Sequence, residues 1–181
     1  MDITKISTGP APPWDVNVII EIPKGSTDPV KYEIDKESGA LFVDRFLHTA
    51  MFYPANYGFI PGTLSLDGDP IDVLVISRTA VVPGAVIRSR PIGALVLEDE
   101  AGGDEKIIAV PVEALHPFYS DVRSHEDLPK ILREQIAHFF QHYKDLEHGK
   151  WVKISEWIGP DEAARLIEEA IERAKEGKAG A

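Results

Sequence analysis

An α+β domain is what the sequence predicts, on two observations. Apolar residues run in short strand-like blocks bounded by turn residues as far as Val112, and from Pro129 onward their spacing becomes helical. A third observation bounds the size: 181 residues with 44% hydrophobic and 27% charged side chains suit one ordinary globular domain, residues 1–181, with a full core.

Met1 to Pro13 closes on Gly9-Pro10-Ala11-Pro12-Pro13 and is expected to wrap the surface, with one short helical turn. Val16 to Ile22 reads as a strand ended by the turn cluster Pro23-Lys24-Gly25-Ser26. Val30 to Asp35 alternates, so Lys31, Glu33 and Asp35 share one face and Tyr32 and Ile34 the other. That charged face is either the solvated side of an outer strand or the lining of a polar cleft. Glu37 to Ala40 makes a turn, and Leu41 to Phe46 returns as a strand carrying Arg45.

Met51 to Gly62 is aromatic and broken by Pro54, Gly58, Pro61 and Gly62, which predicts an ordered loop with bends; its tyrosines read locally as core bodies with wet hydroxyls. Residues 73–77 form an apolar strand, Pro83-Gly84 a turn, and Val86 to Arg90 and Ile92 to Leu97 two further strands. A hairpin loop over 98–105 leads to the strand Lys106 to Val112. Leu132, Ile136, Phe139, Phe140 and Tyr143 then share one helix face between Pro129 and Gly149, placing Tyr143 and Lys144 at its carboxyl end. His138 and His142 lie four apart on that helix without the H-E-x-x-H pattern, so they are expected to be exposed or in a subunit contact. Lys150 to Ser155 is a short strand, Asp161 to Lys175 a second amphipathic helix, and 177–181 a flexible tail.

The chemistry concentrates in Ser65-Leu66-Asp67-Gly68-Asp69-Pro70-Ile71-Asp72, where three carboxylates fall within six residues at the mouth of a strand. Like charges this close repel unless cations or donors neutralise them. Magnesium, a hard ion that takes carboxylate and water oxygens and shares its shell with phosphates, answers that need; a solvated acidic turn is the plainer alternative. An EF-hand fails, since Asp72 falls where glycine is required and Arg78 where the bidentate glutamate belongs. A second cluster places five acids among the eight residues 98–105, immediately before Lys106. It is either part of the same site or a solvated hairpin tip that discourages edge pairing.

Asp67, Asp69, Asp72, Asp99 and Asp104 offer oxygens for more than one divalent ion, and Lys31, Arg45, Lys106 and Lys144 offer cations for an anion. Together they suggest a small, highly charged phosphate. With 19 basic against 30 acidic residues and a net charge of −11, binding to nucleic acid or an anionic membrane surface is disfavoured. There is no cysteine, P-loop, dinucleotide fingerprint or G-x-S-x-G elbow, which leaves a metal-activated water as the nucleophile. No apolar leader or span of about 20 apolar residues occurs, and a cytoplasmic location is expected.

Asp67-Gly68-Asp69-Pro70-Ile71-Asp72-Val73 resembles the signature of the soluble family I inorganic pyrophosphatases. The resemblance extends in order through Glu21-Ile22-Pro23, Lys31-Tyr32-Glu33, Phe42-Val43-Asp44-Arg45, Tyr53-Pro54-Ala55-Asn56-Tyr57-Gly58, Asp99 to Lys106 and His142-Tyr143-Lys144-Asp145-Leu146. It implies a five-stranded, OB-like closed β-barrel with additional short strands and two main carboxyl-terminal helices packed on it. It also implies hydrolysis of inorganic diphosphate to two orthophosphates with several Mg2+ ions. Under it Asp67, Asp72 and Asp104 would hold the metals that activate water, Asp72 bridging two, and Asp69 would be the general base or water-orienting carboxylate. Asp99 and Asp104 would hold metal arriving with the substrate, with Glu33 and Glu100 in the acidic shell and Glu21 supporting it. Lys31, Arg45, Tyr57, Lys106, Tyr143 and Lys144 would bind the phosphoryl groups, Tyr53 would line the site, and the subunit would assemble as a homohexamer. A phosphatase acting on phosphate esters and a barrel that binds single-stranded nucleic acid are the rival readings.

Overall fold

Val16–Ile22 (β1) is buried along nearly its whole length because it has a strand on each edge. It pairs antiparallel with Asn56–Phe59 (β4) through Ile19 to Ile22 and with Val86–Asp99 (β6) through Val16 to Ile19. This computed structural model describes residues 2–26 and 29–179. From β4 the sheet continues through Asp72–Val75 (β5), Gly102–Pro111 (β7) and β6 to Val152–Ile158 (β8), in the order β1-β4-β5-β7-β6-β8. Among the described residues, only β5 and β7 run parallel. Val30–Ile34 (β2) and Leu41–Phe46 (β3) form a separate antiparallel pair.

Both faces of the central strands are covered, which explains their continuous apolar runs. Leu74 of β5 and Ile108 of β7 pack into one cluster with Ile136, Phe139 and Phe140 of helix Lys130–His142 (α1). Their neighbours Val73, Val75, Ile107 and Ala109 point the other way, into a cluster closed by Ala163, Ile167 and Ala170 of helix Pro160–Ala179 (α2). Alternation along two strands thus feeds both cores.

Four sequence expectations change. The aromatic stretch 51–62 is not all loop: it contains β4, and Gly58 is a strand residue instead of a bend. A Cβ there would stand 1.9 Å from the Ile19 carbonyl oxygen, so the glycine is required by the approach of β1. The two strands foreseen over 86–97 are one, with the register against β7 shifting between Pro91 and Gly93; a bulge there accommodates a proline that has no N–H to donate. The acidic loop shrinks to residues 100–101, because Asp99 and Asp104 already sit on paired strands. Helix α2 runs on to Ala179, past the foreseen end at Lys175 and into the expected tail; residues 180–181 lie outside the described residues.

Gly58→Ala is expected to destabilise the fold by about 1–3 kcal/mol, the usual cost of forced overpacking, as measured by urea unfolding. An unchanged midpoint would show that β1 does not approach β4 this closely.

Candidate active site

The parallel register of β5 and β7 sets Asp72 beside Lys106, and the two-residue period of β7 returns Asp104 to the side that carries Lys106. The Lys106 side chain is 5% exposed, and its ammonium donates to Asp72 Oδ2 at 2.5 Å and to Asp104 Oδ1 at 2.6 Å. From β4, the Tyr57 hydroxyl donates to the same Asp72 oxygen at 2.5 Å. Burial is the largest influence on the ammonium and works against its charge, but Asp72 and Asp104 outweigh it and raise the Lys106 pKa. Burial, then Asp72, drives the Tyr57 pKa well up, so its hydroxyl remains a neutral donor. Burial also raises the Asp104 carboxyl, against the pull of Lys106.

A second pair lies beside the first. Lys144, two residues past α1, donates to Asp99 Oδ2 at 2.6 Å and to Glu100 at 3.4 Å. Its pKa is raised despite burial, through Tyr143 and Asp99. Tyr143 stacks on Phe139 at 5.3 Å, and the buried Tyr53 stands between Tyr57 and Phe139 at 5.1 and 4.7 Å. On the β2–β3 pair Lys31 and Arg45 are cross-strand neighbours. Lys31 pairs with Glu33 and, at 3.2 Å, with Asp44; Arg45 pairs with Asp44 at 2.9 Å and with Glu147 at 3.1 Å.

The loop that precedes β5 is tied internally. Ser65 N–H donates to the Asp69 carbonyl at 2.7 Å and Asp69 N–H to the Asp67 carboxylate at 3.0 Å, while Gly68 takes φ +95°. The Asp69 side chain is exposed, with Lys36 Nζ 3.9 Å away. A cleft of about 90 Å³ lies between this loop and the β6–β7 hairpin, lined by Leu66, Asp67, Asp99, Ala101, Gly103 and Asp104. Asp99 and Asp104 come from the two arms of the hairpin and Asp67 from the loop. Among the described residues, no three acidic or histidine side chains are already gathered closely enough to hold a metal. The donor set is nevertheless all oxygen and opens on a cleft, which fits a hard divalent cation that completes its shell with water and phosphate.

The fold thus brings Tyr57, Asp72, Asp104 and Lys106 into direct contact, joins Asp99, Glu100 and Lys144, and sets Asp67 across the cleft from Asp99 and Asp104. Glu21 stands apart. It is buried on β1, where its carboxylate accepts the Ile34 N–H at 2.8 Å and so ties β1 to β2. Sequence reasoning gave Asp44 no role of its own, and it overlooked Glu147 and Lys36. The mixed charges of Asp44-Arg45 on a strand gave some signal for the first, whereas Glu147 and Lys36 lie in turns where no periodicity points to them.

A family model described as inorganic pyrophosphatase matches residues 18–175. The inorganic pyrophosphatase of Caulobacter vibrioides is 69% identical over 176 residues, 97% of this chain and 99% of its own. That of Mesorhizobium japonicum is 62% identical over 178 residues, 98% of this chain and all of its own. A crystal structure described as an inorganic phosphatase from Anaplasma phagocytophilum superimposes with a TM-score of 0.92 at 49% identity, covering 94% of this chain and 99% of that one. The inorganic pyrophosphatase structure from Thermus thermophilus gives 0.90 at 41% identity, covering 97% and 99%.

Burial, the largest influence, pushes the Glu21 carboxyl from its ordinary 4.5 up to about 7, against the Ile34 N–H and Lys36. Because the folded value is the higher, its contribution to stability is complete below pH 4.5 and is lost as pH rises towards 7. Glu21→Gln keeps an acceptor for Ile34 and cannot ionise. Its stability relative to the parent should therefore rise by up to about 3 kcal/mol between pH 4.5 and 7 in urea unfolding. A difference that does not vary with pH would contradict this.

Proposed function

The chain belongs to the inorganic pyrophosphatase family, and from that premise we propose that it is an Mg2+-dependent enzyme hydrolysing inorganic diphosphate to two orthophosphates. The observation that carries this reading is a small cleft lined by Asp67, Asp99 and Asp104, with Lys144 paired to Asp99 and with Asp72 joined to Asp104 through the buried Lys106. These four carboxylates, together with Glu33 of β2, would hold several Mg2+ ions, which when bound would lower the pKa of coordinated water and offset charge on phosphoryl oxygens.

The chain's own residues do the rest. Asp69, exposed at its loop, orients the attacking water in line with phosphorus and accepts its proton at a carboxylate oxygen. Lys31 and Arg45 from one side, and Lys106 and Lys144 from the other, bind the two phosphoryl groups and neutralise charge on the departing phosphate. Each already contacts carboxylates, so it is held in place before substrate arrives. The hydroxyls of Tyr57 and Tyr143 add neutral donors, their pKa values raised by burial. Glu100 and Glu21 support this arrangement from behind.

The pairings that run β1-β4-β5-β7-β6 and back to β1 support an OB-like closed barrel of five strands, with β8 and the β2–β3 pair added to it. A homohexamer in the cytoplasm belongs to the same proposal. Leu41, Phe42, Val43 and Phe46 on β3 and Ile131 on α1 are exposed apolar residues suited to subunit contacts, and among the described residues no helix is long and apolar enough to cross a membrane. The net charge of −11 works against a nucleic-acid ligand.

Asp69→Asn is expected to lower kcat for diphosphate on the order of 10²-fold, the usual loss when a general base is removed, while its circular dichroism stays that of the parent. An unchanged kcat would take Asp69 out of this role.

A further inference from the structure

Four acids of the proposed site face cations. Asp72 and Asp104 face Lys106, Asp99 faces Lys144 and Glu33 faces Lys31, all cations assigned above to the phosphoryl groups. Asp69 faces a different cation. Lys36 Nζ lies 3.9 Å from Asp69 Oδ1, and among the described residues it is the cation paired with that carboxylate.

Two features hold Lys36 where it is. Its ammonium lies 5.1 Å from the centroid of the Phe59 ring, a cation–π distance, and Phe59 is a buried residue of β4 that sits opposite Asp72 in register. The turn that carries Lys36 is also closed on itself: the Asp35 carboxylate accepts the Ser38 N–H at 2.7 Å and the Ser38 hydroxyl at 2.6 Å, and Asp35 N–H donates to the Ala40 carbonyl at 2.9 Å. Asp69, by contrast, has a side chain 74% exposed on a loop whose hydrogen bonds fix its backbone only. An unrestrained carboxylate of this kind rotates about two torsions, and a water-orienting group cannot act efficiently from several orientations.

We propose that Lys36 is a positioning residue for the reaction: its ammonium, braced on the Phe59 ring, holds the Asp69 carboxylate in the orientation that directs the attacking water. This rests on the reading of Asp69 as the water-orienting carboxylate. An exposed ion pair contributes little to stability, so the consequence of losing Lys36 falls on the rate and not on the fold. The charge of Lys36 also reaches Glu21, which places it within the electrostatic reach of the site even though it lies in a turn outside the cleft.

The test compares Lys36→Gln, Lys36→Arg, Asp69→Asn and the double variant Lys36→Gln/Asp69→Asn, each as the full chain with Mg2+ and diphosphate. Lys36→Gln should lower kcat about tenfold, as loss of a supporting partner does, with KM for Mg-diphosphate and the urea midpoint little changed. Lys36→Arg should recover most of the rate, and Lys36→Gln should cost nothing further once Asp69 is already Asn. The proposal is overturned by a parental kcat in Lys36→Gln, by a raised KM at constant kcat, which would make Lys36 a phosphate ligand, or by losses that simply multiply in the double variant. If Asp69→Asn keeps the parental rate, the reading of Asp69 itself is what fails; if it is slow and Lys36→Gln is not, only the present inference fails.

Discussion

A lysine ammonium taken out of water must be paired, and in this chain that requirement falls on Lys106. Its side chain is 5% exposed, with the rings of Tyr57 and Phe140 about it and with Asp72 and Asp104 both within 2.6 Å. Satisfying it takes a parallel pair of strands in one particular register, since a slip of one residue would turn Lys106 to the opposite face. It also takes β4, to bring the Tyr57 hydroxyl to Asp72, and α1, to bring Phe140. The apolar clusters on the two faces of β5 and β7 hold that register, so the charge pairing and the core specify the same arrangement.

From that centre the chemistry spreads outward in matched pairs. Asp72, Asp99, Asp104 and Glu33 each already have a cation, and each cation proposed to take phosphate already has an acid, so these charges are mutually compensated. On the proposed function, adding divalent ions and a polyanion together would substitute one set of compensating charges for another. The pair of Asp69 with Lys36 differs in being exposed, which suits the water-orienting role proposed for Asp69.

Much of this was legible in the chain. The carboxylate triplet at 67–72, the acids at 99 and 104 and the four cations stand out because charges in apolar strands need partners, and the order of the motifs carried the family resemblance. The two amphipathic helices were visible from their spacing. What was hidden came from contacts distant in sequence. Gly58 has the look of a breaker, and only the backbone of β1 makes it a strand residue. Pro91 looks like a strand boundary, and only a bulge against β7 lets one strand pass through it. Glu147 and Lys36 sit in turns, where no period marks them, and their roles depend on which turn packs against which.

The most direct test is the release of orthophosphate from diphosphate by the purified chain as Mg2+ is withdrawn with a chelator and then restored. The account predicts rapid release with Mg2+, none in the chelator, and full recovery when Mg2+ returns, because the clustered carboxylates cannot act on the substrate unaided. Undiminished release in the chelator, or none with Mg2+ present, would contradict the function assigned to the carboxylates around Lys106.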